Sequence, residues 1–324
     1  MKQAFFLAAA LGAGCFSVQP ASADDFLNNL AKQAVGTAVQ SLANQMTPKP
    51  AAAPNAMPAA PAAARAPYVR AGSTPQRMRL EDGTVFYADY IVDYWSRPDA
   101  DTRGATPDTD ALGTIRPVSK QWSGAKKQPE YAVLQRKLER IIQRVMEQPA
   151  LVNIRGASLG WIPGFGWENG GAIPASMTLI AYPISLSDKD TQRFPDGSYH
   201  TPGEGPSLRI TVNNPEEIGS RVSSGSYKGM TVLRYGYMFV IANTDRPLYV
   251  DDGQGGRVVN PDLLDKSRPR SDIQFMTVYV GAGGPTMSNL THKRVEPTSN
   301  AGRLFGTLYH TDWRAILEEA NAVR

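Results

Sequence analysis

Residues 47–69 constrain this chain more than any other stretch. Pro48, Pro50, Pro54, Pro58, Pro61 and Pro67 are interleaved there with runs of alanine. Each proline removes a backbone donor and restricts the residue before it, so neither helix nor sheet can settle. The segment reads as a semi-rigid linker, extending about 3.1 Å per residue in polyproline II geometry. It separates a short N-terminal part from a folded part at 70–324, which is long enough for one large domain or two small ones.

The N-terminal part divides again. Residues 1–23 read as a cleavable secretory signal peptide: Lys2 gives a positive start, Ala4 to Leu11 an uncharged apolar run, and Ala21-Ser22-Ala23 the small residues of a cleavage site before Asp24. The apolar run is shorter than the roughly 20 residues of a permanent membrane helix, and no later run is longer, so no transmembrane span is expected in the mature chain. The expected location is therefore the periplasm or the extracellular medium. Cys15, the single cysteine, offers lipoprotein attachment as an alternative, although Gly12 stands where lipoprotein signals usually carry Leu. Cleavage after Ala23 leaves a chain without cysteine, which excludes a disulfide framework, a thiol nucleophile and a thiolate metal site.

Residues 24–46 carry Leu27, Leu30, Ala34, Ala38 and Leu42 at three- and four-residue steps, as an amphipathic helix does. Beyond Asp24 and Asp25 its one charge is Lys32, so it lacks the basic face of a membrane-surface helix. The small residues Ala31, Ala34 and Ala38 suit close packing on another helix, either in self-association or against the chain's own domain.

In the folded part, strand patterns dominate. Residues 77–80 and 84–87 flank Asp82-Gly83 as a hairpin. Leu208, Ile210 and Val212 alternate with Arg209 and Thr211. Residues 177–182, 232–242 and 273–280 read as strands, and 247–250 with 257–259 as a second hairpin. Two helices stand out. Residues 130–148 place Leu134, Leu138, Ile141, Ile142 and Val145 on one face between Pro129 and Pro149, and a C-terminal helix starts with Asp312 as its N-cap. The expected fold class is α+β and β-rich, with mainly antiparallel sheet, one long amphipathic helix and a C-terminal helix.

Gly156-Ala157-Ser158-Leu159-Gly160 matches the G-x-S-x-G turn of serine hydrolases, with His200, His292 and His310 downstream. That turn must lead from a strand into a helix. The following Trp161-Ile162-Pro163-Gly164-Phe165-Gly166 cannot supply one. Ser158, His200 and His310 are thus weak catalytic candidates, and an exported hydrolase of a cell-wall or extracellular polymer is the competing reading.

The stretch 160–171 is the preferred contact surface, read as a Gly-rich loop. Trp161, Phe165 and Trp167 sit among glycines, and aromatic faces stack on sugar rings and anchor interfaces. Glu168 and Asn169 would add orienting hydrogen bonds. This reading requires Trp161 and Trp167 to be exposed. Asp99, Asp101, Gly104 and Asp110 partly match an EF-hand loop, but Arg103 occupies a ligand place with the wrong charge. No histidine spacing suits a metal, and no metal or cofactor is expected.

The chain is 42% hydrophobic and 20% charged, with a net charge of +4. Those values are ordinary for a globular protein. Export disfavours nucleic acid as the partner. Arg116, Lys120, Lys126, Lys127, Arg136, Lys137, Arg140 and Arg144 form a basic run that suits an anionic envelope surface, if the helical members are not simply a solvated face. The expectation is an exported, non-enzymatic envelope or secreted protein that binds or assembles. Its partner would be an envelope glycan, an anionic envelope surface or another protein, with self-association through residues 24–46 as a further contact.

Overall fold

A computed structural model of the chain describes residues 78–79, 85–86, 88–167, 171–219, 223–233 and 237–324. The signal peptide, Cys15, the amphipathic helix at 24–46, the linker at 47–69 and the candidates Glu168 and Asn169 lie outside the described residues.

The fold is α+β, built on a seven-stranded antiparallel sheet. Its strands in spatial order are β3 (Ala157–Phe165), β4 (Ala175–Pro183), β7 (Ser207–Val212), β13 (Phe275–Gly281), β10 (Met238–Ala242), β9 (Met230–Leu233) and β8 (Ser223–Tyr227). Three small hairpins accompany it: β1 (Met78–Arg79) with β2 (Val85–Phe86), β5 (Gln192–Arg193) with β6 (Tyr199–His200), and β11 (Tyr249–Asp251) with β12 (Arg257–Val259). The helices are α1 (Asp89–Trp95), α2 (Pro107–Asp110), α3 (Pro129–Met146), α4 (Pro215–Ile218), α5 (Gly283–Thr291), α6 (Asn300–His310) and α7 (Trp313–Ala322). Among the described residues, no helix is long and apolar enough to cross a membrane.

Period-two alternation decides which face the helices cover. Leu159, Met177, Leu179, Leu208, Ile210, Val278 and Phe239 join one buried cluster with Leu134, Leu138 and Ile141 of α3 and with residues of α1, α6 and α7. The intervening strand residues face the other way. There Leu233, Met238, Val240 and Phe275 pack in a second cluster with Leu263 and Leu264. Helix α3 starts with Pro129 in its first turn, where a missing N–H costs nothing. Asp312 caps α7 by accepting from the Ala315 amide at 3.1 Å.

Two readings of the pattern change. The apolar run at 232–242 is two strands, β9 and β10, paired antiparallel through Met238↔Leu233. Residues 160–165 are not a loop but most of β3, paired with β4 over nine residues. Ser158, Gly160, Ile162 and Gly164 share one face and Leu159, Trp161, Pro163 and Phe165 the other, so glycine at two of the outer-face positions hides the alternation from a hydrophobic count.

As the outermost strand, β3 would expose unpaired backbone groups. A strap at 111–124 covers it instead. The Leu159 amide donates to the Thr114 carbonyl at 2.9 Å, the Arg116 amide to the Leu159 carbonyl at 2.9 Å, and the Phe165 amide to the Ser123 carbonyl at 2.8 Å. The N–H groups of Leu159 and Phe165 point to the strap, and Pro163 shares their register, so its missing N–H breaks no bond to β4. Gly113 is required by closeness: a Cβ there would lie 1.6 Å from the Ala157 carbonyl oxygen.

Arg303 of α6 is fully buried and no carboxylate hydrogen-bonds to it among the described residues. Its guanidinium donates to the carbonyls of Thr298 at 3.0 Å, Ala150 at 3.2 Å and Thr102 at 2.7 Å, and lies 5.3 Å from the Trp95 ring centre. Burial lowers its pKa to about 10, which still leaves it charged at neutral pH. Trp95 reaches α6 because Gly306 has no Cβ, which would lie 2.4 Å from the indole. One side chain thus ties α1, α6 and the connection between α3 and β3. Replacing Arg303 with Ala leaves these carbonyls without their donor. The expected cost is about 3 kcal/mol or more, or roughly 6–12 °C in Tm. Calorimetry of the variant checks this, and an unchanged Tm would contradict the staple.

Candidate functional site

The structure brings together two of the weak catalytic candidates. Ser158 on β3 faces away from the helices, and His200 on β6 folds over it. Ser158 Oγ and His200 Nδ1 share a hydrogen bond of 2.7 Å. Tyr182, opposite Ser158 in the register, meets the imidazole edge-on at 5.3 Å. The strap delivers His200: the Tyr199 amide donates to the Leu112 carbonyl, and the Thr114 amide to the Tyr199 carbonyl.

The chemistry of a hydrolase does not follow from this pair. Ser158 is fully buried in a regular strand, not lifted on a turn before a helix. Among the described residues, no carboxylate hydrogen-bonds to His200 to orient the ring. Desolvation, then the positive charge of Arg116, depresses the His200 pKa to about 4, so the ring is neutral at pH 7. The pair satisfies two buried polar groups and fixes the 199–201 segment to the sheet. His310 lies elsewhere. It ends α6 and bonds through Nε2 to the Val92 carbonyl at 2.7 Å, holding the end of α1.

The aromatic residues of β3 separate into two groups. Trp161 is only 7% exposed, and Phe165 is buried between Trp122, at 5.6 Å, and Tyr131 of α3, at 4.9 Å. The expected exposure of Trp161 is therefore corrected: as a strand residue it alternates inward with Leu159 and Phe165. Trp167, two residues past the strand, is 97% exposed. The Gly166 amide donates to the Pro174 carbonyl at 2.8 Å, so the backbone stays paired up to the residue that carries this indole.

The basic run also separates. In α3, Lys137 is buried and paired with Asp272 at 3.1 Å, and Arg140 and Arg144 both pair with Glu319 of α7 at 2.9 and 3.0 Å. Arg136 donates to the carbonyl of Arg324 at 2.9 Å. These residues bind α3 to the C-terminal segment and are not a free basic face. The remaining members, Arg116, Lys120, Lys126 and Lys127, lie on the strap and its exposed continuation at 123–128. Lys126 Nζ sits 5.9 Å from the Tyr131 ring centre. Since Ser123 pairs with Gly164 and Phe165, this basic segment adjoins the end of β3 from which Trp167 projects. Sequence reasoning missed that grouping because it depends on the strap's parallel run along the strand.

The EF-hand resemblance does not make a cation site. Asp101 accepts from the amide of Arg103 at 3.0 Å and from its guanidinium at 3.3 Å. Asp110 accepts from the Gly104 amide at 3.1 Å. Among the described residues, no group of three or more metal-binding side chains assembles.

No protein-family model, curated protein or solved structure matches the chain. The His200 environment makes a prediction by itself. The unfolded ring titrates near 6.5, the folded one near 4. Between those values the unfolded chain takes up a proton that the folded protein does not. The contribution of His200 is therefore complete above about pH 6.5, falls as the pH drops towards 4, and amounts to about 3 kcal/mol. Urea midpoints from pH 7.5 to 4 should fall more steeply for the native protein than for His200→Gln. Parallel curves would contradict the burial.

Proposed function

We propose that the protein is an exported, non-enzymatic binding or assembly protein of the cell envelope. Its contact surface is Trp167 together with the basic segment 116–127, and its partner is an anionic envelope glycan. One observation carries this reading. The chain has five tryptophans. Trp95, Trp122, Trp161 and Trp313 are buried, whereas Trp167 is 97% exposed. A large aromatic left in water forgoes the stabilisation that burial gives the others, and exposed indoles beside cations are favoured anchors for partners. An indole face stacks on a sugar ring, while Lys120 and Lys127 suit carboxylate or phosphate groups on the same polymer.

The signal-like residues 1–23 support export, and the linker composition of 47–69 supports a domain held at a distance from whatever residues 24–46 engage. The buried Ser158 and, among the described residues, the absence of a carboxylate hydrogen bond to His200 support a binding role over hydrolysis.

The test is co-sedimentation of the full mature chain with peptidoglycan sacculi and with outer-membrane vesicles, beside Trp167→Ala. Because Trp167 is 97% exposed, the variant should keep the native Tm. Its retained binding should fall roughly tenfold or more, the loss typical of an aromatic anchor. Equal binding by both proteins would overturn the assignment of Trp167. Failure of the native chain to sediment with either fraction would overturn the envelope reading.

A further inference from the structure

A second site lies at the C-terminal end of β10, four strands across the sheet from the end of β3 and lined by neither Trp167 nor the strap. Asn243, Asp245, Arg246, Asp265, Arg268 and Arg314 are among the residues lining a cleft of about 630 Å³, within the range of small-ligand sites. Its walls are mainly polar, and three of the lining residues are arginines.

Each guanidinium is held by a backbone carbonyl. Arg246 donates to the Asp262 carbonyl, Arg268 to the Asn243 carbonyl at 2.7 Å, and Arg314, at the start of α7, to the Gly229 carbonyl. An arginine anchored at one edge has already lost most of its rotamer freedom. Its remaining N–H groups, out of five in a fixed fork, can bind an anion at little further entropic cost. The acidic residues divide their roles. Asp265 lies 3.5 Å from Arg246 and accepts from the Ser267 amide and hydroxyl at 2.9 and 2.7 Å. It is committed to the wall. Asp245 has no such commitment among the described residues, and its carboxylate is an acceptor available to a hydroxyl group.

Three oriented cations, of which Arg246 is partly neutralised by Asp265 and Arg268 by Asp272 at 3.4 Å, and one free carboxylate in a polar cleft match a ligand that carries both an anion and hydroxyls. We propose that this cleft binds a single anionic sugar, its carboxylate or phosphate held by Arg246, Arg268 and Arg314 and a ring hydroxyl donating to Asp245. The inference stands on the cleft alone and does not need Trp167 to bind anything.

Calorimetric titration of the full mature chain tests it with four probes: glucuronate, glucose 6-phosphate, glucose and inorganic phosphate. At least one anionic sugar should bind more tightly than inorganic phosphate, and glucose should not bind. Arg314→Gln, on the exposed start of α7, should weaken that binding roughly tenfold or more, the range of one charge-assisted hydrogen bond. Asp245→Ala should weaken the sugar but not inorganic phosphate. Trp167→Ala should change neither. Absence of binding by both anionic sugars would overturn the proposal, as would an unchanged affinity in Arg314→Gln. Phosphate binding as tightly as the sugar phosphate would overturn its sugar part.

Discussion

The covered edge of β3 is the constraint on which the rest of this structure depends. An outer strand of a seven-stranded sheet offers its backbone to any other strand. Here the strap at 111–124 takes those bonds, at Thr114, Arg116 and Ser123. The same strap positions Tyr199, and through it His200 over Ser158. It buries Trp122 against Phe165, then releases the basic stretch 123–128 before α3 begins. Protection of the edge, the buried serine–histidine pair and the surroundings of Trp167 are consequences of one segment lying along one strand. Gly113 is where that segment comes closest, with no room for a side chain.

Beneath the sheet, charge is used for assembly as much as for solubility. Arg303 is stabilised in the core by three carbonyls and an indole instead of a carboxylate. Lys137 spans from α3 to Asp272 and Asn321, at 3.1 and 3.2 Å. Asn321 in turn accepts from the Ile273 amide at 3.0 Å, just before β13. Such groups are costly to bury unless every donor finds an acceptor, and that requirement fixes how the helices sit on the strands. It also commits half of the apparent basic run to partners, one of them buried, which leaves the cations on the strap as the less committed members.

Much of the fold was legible in the sequence because period is a strong signal. The stripe Leu134, Leu138, Ile141, Ile142, Val145 and the alternation at 208–212 each mark an element found in place, and Asp312 does cap the last helix. What failed did so for local reasons. In β3, Gly160 and Gly164 fill the positions where polar residues would reveal a strand, and Pro163 argues against one until its register with the strap is known. Helix α6 was hidden by Gly302, Gly306 and the buried Arg303, residues that weaken a helical pattern but are demanded by contacts with Glu296 and Trp95. The site was only partly legible. The composition of 160–171 singled out the strand end that carries Trp167, but burial divides its aromatics; Ser158 and His200 stood out separately, while their pairing and the arginine cleft depend on segments far apart in the chain.

The central claim is that the end of β3 and the strap beside it form the contact surface. Hydrogen–deuterium exchange of the full mature chain, with and without solubilised peptidoglycan or lipopolysaccharide, tests it most directly. The account predicts added protection concentrated in peptides covering 114–128 and 160–173, with little change in α6 or α7. Protection confined to other segments, or none under saturating ligand, would contradict it.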